Sequence, residues 1–288
     1  MSERKIRVAC IQMRSGVDID DNVDAAAKFI RQAASDGAHL VATPEMTTLL
    51  DIRPGETRGK ATSEKADPAL QALKNIAKKC EIWLLIGSIA VTLDHDSRLA
   101  NRSILIDPRG EIFARYDKMH MFDVEVGDGQ NYRESKAYCP GTRAVIAQTP
   151  LATVGMTICY DLRFPHLYRA LAQAGAEILT CPSAFTRVTG EAHWHALLRA
   201  RAIETGAFVI APAQGGTHED GRETFGHSLI ISPWGEILAE AIGDEPGIIS
   251  AEVDLADVEK ARSRIPSLSL ENSIGVTGFT LAPVEKDC

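Results

Sequence analysis

The segment Ala152–Pro165, ATVGMTICYDLRFP, constrains the fold of this chain more than any other stretch. Its apolar, β-branched run predicts a buried strand from Thr153 to Cys159, and the glycine inside the run allows a neighbouring backbone to approach closely. The charged residues after Cys159 cannot continue a buried strand, and Pro165 suits the first turn of a helix. The segment therefore predicts a thiol at the carboxyl edge of a sheet, where α/β proteins place their chemistry. Taken alone, the turn leaves open whether Cys159 reacts or packs as a small buried hydrophobe.

Charge and composition exclude several classes of protein. The chain has 288 residues, of which 45% are hydrophobic and 24% charged, as in an ordinary globular protein that can bury a large core. The formal net charge of −8 argues against nucleic acid or an anionic membrane surface as a partner. No run approaches the ~20 apolar residues of a membrane span. The six cysteines form no C-x-x-C pair, and the N-terminal apolar run is too short for a signal peptide, so we expect reduced thiols and a cytoplasmic location.

The order of the predicted elements indicates an α/β fold. A strand at Arg4–Met13, an amphipathic helix at Asp18–Ser35 and a buried strand at Ala38–Thr43 form a βαβ unit. Further strands are predicted at Ile82–Val91, Leu99–Asp107, Glu111–Tyr116, Val145–Ala147, Ala176–Thr180, Ala207–Ala213, Ser228–Ser232, Glu236–Glu240 and Gly247–Val253. Further helices are predicted at Pro68–Cys80, Arg163–Ala174, Glu191–Thr205 and Asp254–Arg264, and polar loops at Arg53–Asp67 and Val126–Gly141. The pattern predicts one domain over residues 1–288, with a mixed sheet or two stacked sheets covered by helices and a weakly patterned tail from residue 266.

Three side chains that can carry chemistry follow predicted strands: Glu45, Lys118 and Cys159. A cysteine nucleophile must lose its proton, since its ordinary pKa is about 8.5. A carboxylate whose pKa is raised in an apolar pocket can accept that proton. An ammonium group and the backbone N–H of Tyr160 can stabilise the oxyanion that forms, and no cofactor is needed. Singly, a loop glutamate or a lysine is more often a solvated surface residue, and the spacing in sequence proves nothing.

Three short motifs together resemble those of a known family. PEM around Glu45, YDKMHMFD around Lys118 and ICYDLRFP around Cys159 occur in the order found in the nitrilase superfamily of carbon–nitrogen hydrolases. The resemblance runs from the first strand to the helix ending near Arg264. It implies a four-layer αββα sandwich, with Glu45 as base, Lys118 as oxyanion stabiliser, Cys159 as nucleophile and Glu134 as a second glutamate. It also implies a homodimer or a higher homo-oligomer, with the tail at the subunit interface.

Two further segments narrow the resemblance to the amidase branch that contains the Nit proteins. These are AGAEILTCPSAF and HWHALLRARAIETGAFVIAPAQGG, although Cys181 stands where relatives carry a bulkier residue. The branch implies hydrolysis of a small, linear, carboxylate-bearing amide, namely deaminated glutathione or the ω-amide of a 2-oxo acid, to an acid and ammonia through a thioester. An N-carbamoyl amino acid amidohydrolase and an aliphatic nitrilase are the alternative enzymes. A redox sensor that uses Cys139 and Cys181, or a non-catalytic scaffold, is the non-enzymatic alternative.

The remaining predictions concern substrate and metal. Ser183 and Phe185 follow a buried strand and are predicted to line the substrate pocket, while Arg163 either forms a structural salt bridge or reaches a substrate carboxylate. The pair His193 and His195 could suggest a metal, but positions i and i+2 of a helix point apart. Without a third ligand nearby in sequence, no metal is predicted.

Overall fold

The computed structural model describes residues 4–127 and 131–270, and within these ranges the main strands form two six-stranded sheets. The first sheet has the order β16-β1-β2-β3-β4-β5 and comprises β1 (Lys5–Gln12), β2 (Leu40–Ala42), β3 (Trp83–Thr92), β4 (Leu99–Ile106), β5 (Ile112–Asp117) and β16 (Gly247–Asp254). The second has the order β15-β14-β11-β10-β9-β8 and comprises β8 (Val145–Gln148), β9 (Thr153–Met156), β10 (Ile178–Thr180), β11 (Phe208–Ala211), β14 (Leu229–Ile231) and β15 (Ile237–Glu240). In each sheet the three central strands, β1–β3 and β9–β11, are parallel.

The faces of the first sheet follow the two-residue period of a strand. Val8 and Cys10 of β1 belong to the core shared with the second sheet, whereas Ala9 and Ile11 pack with helices α1 (Ile19–Ser35) and α3 (Pro68–Cys80). Asp18 caps α1 and Asp67 caps α3 through side-chain hydrogen bonds to the first turn. The alternation therefore buries both faces of the strand, one against helices and one against a sheet.

The second sheet is covered by helices α4 (Pro165–Gln173) and α5 (Arg187–Thr205). Gly155 of β9 permits this contact, because a Cβ there would lie 2.8 Å from a methyl carbon of Leu179 and 3.2 Å from Leu171 of α4. The layers run helix, sheet, sheet, helix. The four-layer αββα sandwich that the resemblance implied is confirmed.

Several predicted boundaries differ from the structure. Strand β9 ends at Met156 and does not extend to Cys159, because the chain turns before the thiol. Helix α5 begins four residues earlier than predicted, and its Gly190 lies against Phe225, where a Cβ would clash. Helix α6 (Ala256–Arg264) begins two residues later than predicted, because Asp254 is the last residue of β16 and accepts a hydrogen bond from the Ala256 N–H (3.0 Å).

The predicted polar loops contain short elements, since local hydrogen bonds order chain that has little hydrophobic pattern. The loop Arg53–Asp67 contains α2 (Glu56–Lys60), and the loop Val126–Gly141 contains β7 (Asn131–Arg133), which pairs with β6 (Asp123–Glu125) just before that loop. The hairpin of β12 (Gly215–Thr217) and β13 (Glu223–Phe225) was not predicted. The predicted tail continues through residue 270 along α4, where Arg169 donates to the carbonyl of Ser267, and residues 271–288 lie outside the described ranges. Among the described helices, none has the length and apolar character needed to cross a bilayer.

Candidate active site

Cys159 lies at the start of a tight turn that follows β9. Its backbone has φ +47°, a left-handed conformation that a non-glycine residue adopts only when its surroundings impose it. The Cys159 N–H donates to the carbonyl of Pro182 (3.0 Å), which fixes the turn to the end of β10. The buried Asp161 carboxylate fixes its other side, accepting hydrogen bonds from the Ile158 N–H (2.9 Å) and the Tyr116 hydroxyl (2.6 Å). The turn therefore presents the thiol from a rigid backbone.

Glu45 follows the parallel strand β2 of the first sheet and is buried. Its Oε2 accepts a hydrogen bond from the Ala184 N–H (2.8 Å), and its Oε1 accepts one from the Asn101 amide (2.9 Å). The next residue, Met46, has φ +56° and donates its N–H to Ser88 Oγ (2.9 Å). Both sheets thus hold the carboxylate, since Asn101 belongs to β4 and Ala184 follows β10.

Lys118 follows β5 and lies between two carboxylates. Its Nζ is 2.9 Å from Glu45 Oε1 and 2.9 Å from both oxygens of Glu134. Glu134 in turn accepts a hydrogen bond from the Phe122 N–H (2.6 Å). The lysine side chain is only 2% exposed. The ammonium group is therefore held in one position by charge-assisted hydrogen bonds and is almost fully buried.

These contacts determine the proton positions. Burial acts to raise the pKa of Glu45, but Lys118 outweighs it and holds the pKa below the ordinary range, which corrects the expectation of a raised value. Burial and the Glu45 charge raise the pKa of the Cys159 thiol well above its ordinary value. Burial opposes the charge of Lys118, yet Glu134 and Glu45 raise its pKa well above the ordinary range. The resting site holds an ionised Glu45, a charged lysine and a neutral thiol.

These groups open into one cavity of about 910 Å³. Of the predicted site residues, those that line it are Glu45, Lys118, Glu134, Cys159, Tyr160 and Phe185. Cationic side chains line it as well, among them Arg58, Lys136 and Arg222. The structure thus brings together the predicted acid–base and nucleophilic residues and adds positive charge beyond them.

Two predicted substrate-binding residues do not line this cavity. The guanidinium of Arg163 packs over the Phe185 ring (5.3 Å to the centroid), and its Nη1 lies 3.3 Å from His193 Nδ1. Ser183 is fully buried and donates to the carbonyl of Cys181 (3.0 Å). The geometry favours packing roles for both residues.

Arg222 and Asn101 are the site residues that sequence reasoning missed. Arg222 lies in the turn between β12 and β13, lines the cavity and donates from Nη2 to the carbonyl of Ala184 (2.6 Å). Its Nε is buried and has no hydrogen-bond partner within the described ranges. In the sequence, Asn101 is only one polar residue within an apolar strand, which indicates a functional role weakly. Arg222 could not be predicted, because its hairpin has little hydrophobic pattern.

Comparison with known proteins agrees with this geometry. The family model described as carbon-nitrogen hydrolase matches residues 7–263. The chain belongs to the carbon–nitrogen hydrolase family. A deaminated glutathione amidase from Yersinia enterocolitica is 40% identical over 270 residues, which is 92% of this chain and 92% of that protein. Membership of the nitrilase superfamily and of its amidases, as the motifs indicated, is confirmed.

Two solved structures of the superfamily resemble this one. Nit3 from Saccharomyces cerevisiae, a member of branch 10 of the nitrilase superfamily, has a TM-score of 0.83 and 31% identity, covering 92% of this chain and 96% of Nit3. A mutant amidase from Nesterenkonia sp. AN1, solved after Michael addition of acrylamide at its active-site cysteine, has a TM-score of 0.76 and 25% identity, covering 92% of this chain and 100% of the amidase. Both share the sandwich fold described above.

Proposed function

We propose that this carbon–nitrogen hydrolase cleaves the amide of a small dicarboxylate, with deaminated glutathione as the first candidate substrate, through a thioester on Cys159. One observation carries the proposal. A neutral thiol, an ionised carboxylate and a fixed ammonium group open into the same cavity, and Lys118 Nζ lies 2.9 Å from Glu45 Oε1. This set supplies a nucleophile, a base and an oxyanion stabiliser without a cofactor.

In the first half-reaction, Glu45 accepts the Cys159 proton as the sulfur attacks the amide carbon. The C–S bond forms, and the carbonyl electrons move to oxygen, where Lys118 and the Tyr160 N–H stabilise the charge. The intermediate collapses when the C–N bond breaks, and Glu45 returns the proton to the departing nitrogen. Because the proton moves between Cys159 and Glu45, the net charge of the buried groups is the same before and after the transfer, which keeps its electrostatic cost low.

In the second half-reaction, Glu45 removes a proton from a water molecule that attacks the thioester carbon. The tetrahedral intermediate uses the same donors and expels the sulfur, which recovers its proton from Glu45. Glu134 contacts Lys118 and not the reacting atoms, so we propose that it positions the ammonium group. The products are a carboxylic acid and the amine released earlier.

The cationic lining supports a substrate with more than one carboxylate. The buried Nε of Arg222 lacks a hydrogen-bond partner among the described residues, and such a guanidinium gains most from a carboxylate ligand. Arg58 and Lys136 line the same cavity. The name of the Yersinia relative supports deaminated glutathione as that substrate. Its amide nitrogen belongs to cysteinylglycine, so the product would be that dipeptide, and the predicted ammonia applies only to a primary amide.

Location and assembly form part of the proposal. The described cysteines are all free, which supports a reducing compartment such as the cytoplasm. Ile203, Trp234 and Ile265 are each more than half exposed and line one surface hollow, which supports burial of this face in a homodimer. Light scattering should give a mass of at least twice the 31.2 kDa chain. A monomer at micromolar concentration would contradict the homodimer and leave the chemistry untouched.

The decisive experiment compares wild type, Cys159→Ala and the matched control Cys139→Ala, whose sulfur lies outside the cavity. We expect wild type and the control to release cysteinylglycine from deaminated glutathione or ammonia from the ω-amide of a 2-oxo acid. Cys159→Ala should show no turnover with an unchanged circular dichroism spectrum, and mass spectrometry should detect an acyl adduct only when Cys159 is present. Turnover of only an N-carbamoyl amino acid or a nitrile would replace the proposed substrate, and full activity of Cys159→Ala would overturn the mechanism.

A further inference from the structure

A second cluster of ionisable side chains lies outside the cavity. His195 on α5, His227 between β13 and β14, and Glu240 at the end of β15 bring three donor atoms within 4.8 Å of one another. His195 Nε2 and His227 Nδ1 each lie 2.9 Å from the same oxygen, Oε1 of Glu240. Three elements that are distant in sequence therefore direct two imidazole nitrogens and one carboxylate oxygen toward a common point.

The backbone holds His227 in this arrangement. His227 has φ +52°, which is rare for a residue with a side chain, and its N–H donates to the carbonyl of Gly243 (3.1 Å). Its own carbonyl accepts a hydrogen bond from Trp194 Nε1 (2.8 Å). Its ring stacks on Phe225 with centroids 4.4 Å apart and planes inclined by 21°. The strained conformation is thus fixed on three sides, and strain held in this way is typical of functional positions.

We propose that His195, His227 and Glu240 bind one divalent transition-metal ion of the zinc class. Two imidazoles and one carboxylate form a donor set that Zn²⁺ uses in proteins, with bonds of roughly 2.0–2.2 Å and a fourth position open to water. Donor atoms around a tetrahedral ion of that size lie about 3.3 Å apart. Here each nitrogen lies 2.9 Å from Glu240 Oε1, and all three donor atoms lie within 4.8 Å of one another, so side-chain adjustments alone would bring them around one ion. The side chains are 34%, 26% and 31% exposed, so an ion can enter from solvent.

This site revises the conclusion drawn from the sequence. The pair His193 and His195 does point apart, since His193 contacts Arg163 whereas His195 contacts Glu240. The other two ligands, His227 and Glu240, lie 32 and 45 residues after His195, so the spacing of residues within one helix could not indicate them. The site makes no use of Cys159, Glu45 or Lys118, so it stands or falls independently of the proposed amidase activity.

The test measures binding of Zn²⁺ and of Co²⁺, whose visible absorption reports tetrahedral coordination. The parent protein is Cys159→Ala, which removes the thiol in the active site as a competing ligand. The ligand variants are His195→Gln, Glu240→Gln and His227→Asn, because asparagine tolerates a positive φ better than most residues. The matched control is His193→Gln, on the same helix two positions from His195. Circular dichroism checks that every variant is folded.

We expect the parent and His193→Gln to bind one Zn²⁺ per chain and to show the tetrahedral Co²⁺ spectrum. Each ligand variant should weaken binding by at least about tenfold, since even residues that only support metal ligands have effects of that size. Zinc should also raise the melting temperature of the parent, because an ion that binds only the folded state stabilises it. Absence of saturable binding by the parent, or equal loss in His193→Gln, would overturn the proposal.

Discussion

Lys118 Nζ lies 2.9 Å from Glu45 Oε1 and bridges that carboxylate to Glu134 on its other side. Two negative charges and one positive charge thus lie together with little exposure to solvent. A thiolate at Cys159 would add a third negative charge, which explains why the pKa of the thiol lies well above its ordinary range. The proton can leave the sulfur only when another buried group accepts it. Glu45 is the carboxylate placed to do so.

Lys118→Met tests the role of the ammonium group. The variant removes the proposed oxyanion stabiliser, and loss of one such donor typically lowers kcat by about 10²–10³. It also leaves the buried Glu45 and the partly buried Glu134 without their cation, so the pKa of Glu45 should rise and the acid limb of the pH–rate profile should move toward neutral pH. Breaking a buried pair costs about 3–5 kcal/mol of unfolding free energy, which urea denaturation measures. An unchanged kcat would remove Lys118 from the oxyanion role.

The wild-type pH dependence tests the resting proton positions. Since the pKa of Glu45 is held below its ordinary value, kcat/KM for a neutral amide should stay level as pH falls to about 5 and decline only below the ordinary glutamate pKa of about 4.3. Since the pKa of Cys159 is raised, alkylation by iodoacetamide should not increase through the ordinary cysteine pKa of about 8.5. A rise in either rate centred near pH 8.5 would indicate a free thiolate mechanism instead.

The sequence predicted the parts of the fold and site that depend on local pattern. Strong hydrophobic periodicity or clear capping residues mark the turn after Gly155, the strands before Glu45 and Lys118, and the helix at Pro68–Cys80. The shift in the pKa of Glu45 was predicted in the wrong direction. Apolar neighbours in the sequence indicate burial, which raises the pKa, whereas the contact with Lys118 that lowers it forms only in the folded protein. Arg222 was missed for the same reason, since a tertiary contact and not a pattern brings its hairpin to the cavity.

Arg222→Met tests recognition of the substrate carboxylate. Loss of the guanidinium should raise KM for a dicarboxylate amide by about tenfold or more, because a charge-assisted hydrogen bond contributes roughly 1.5–3 kcal/mol. The KM of a neutral aliphatic amide of similar length should change much less. Arg53→Met is the matched control, since Arg53 also lines the cavity but its guanidinium lies 2.7 Å from Asp51. An equal rise in KM for both substrates would show that Arg222 holds the Ala184 carbonyl in place and does not bind the substrate carboxylate.

Gly87→Ala tests how tightly the backbone is packed behind Glu45. A Cβ at Gly87 would lie 2.1 Å from the carbonyl oxygen of Thr43 and 2.4 Å from that of Pro44, the two residues before Glu45. Neither atom can move without shifting the strand end that carries the carboxylate, so overpacking should cost about 1–3 kcal/mol or more of unfolding free energy. Activity should fall as well, because displacement of a catalytic group by about 1 Å costs roughly 10²-fold.

Gly59→Ala is the matched control for this substitution. Gly59 lies in the short helix α2, and nothing approaches within 4 Å of the position of its Cβ. Alanine there should leave activity unchanged and stabilise the protein by up to about 0.5–1 kcal/mol, because it restricts the unfolded chain. Urea denaturation and steady-state kinetics on both variants separate the two effects. If Gly87→Ala were as stable and active as Gly59→Ala, the strand end would be free to adjust, and the position of Glu45 would not depend on close packing at Gly87.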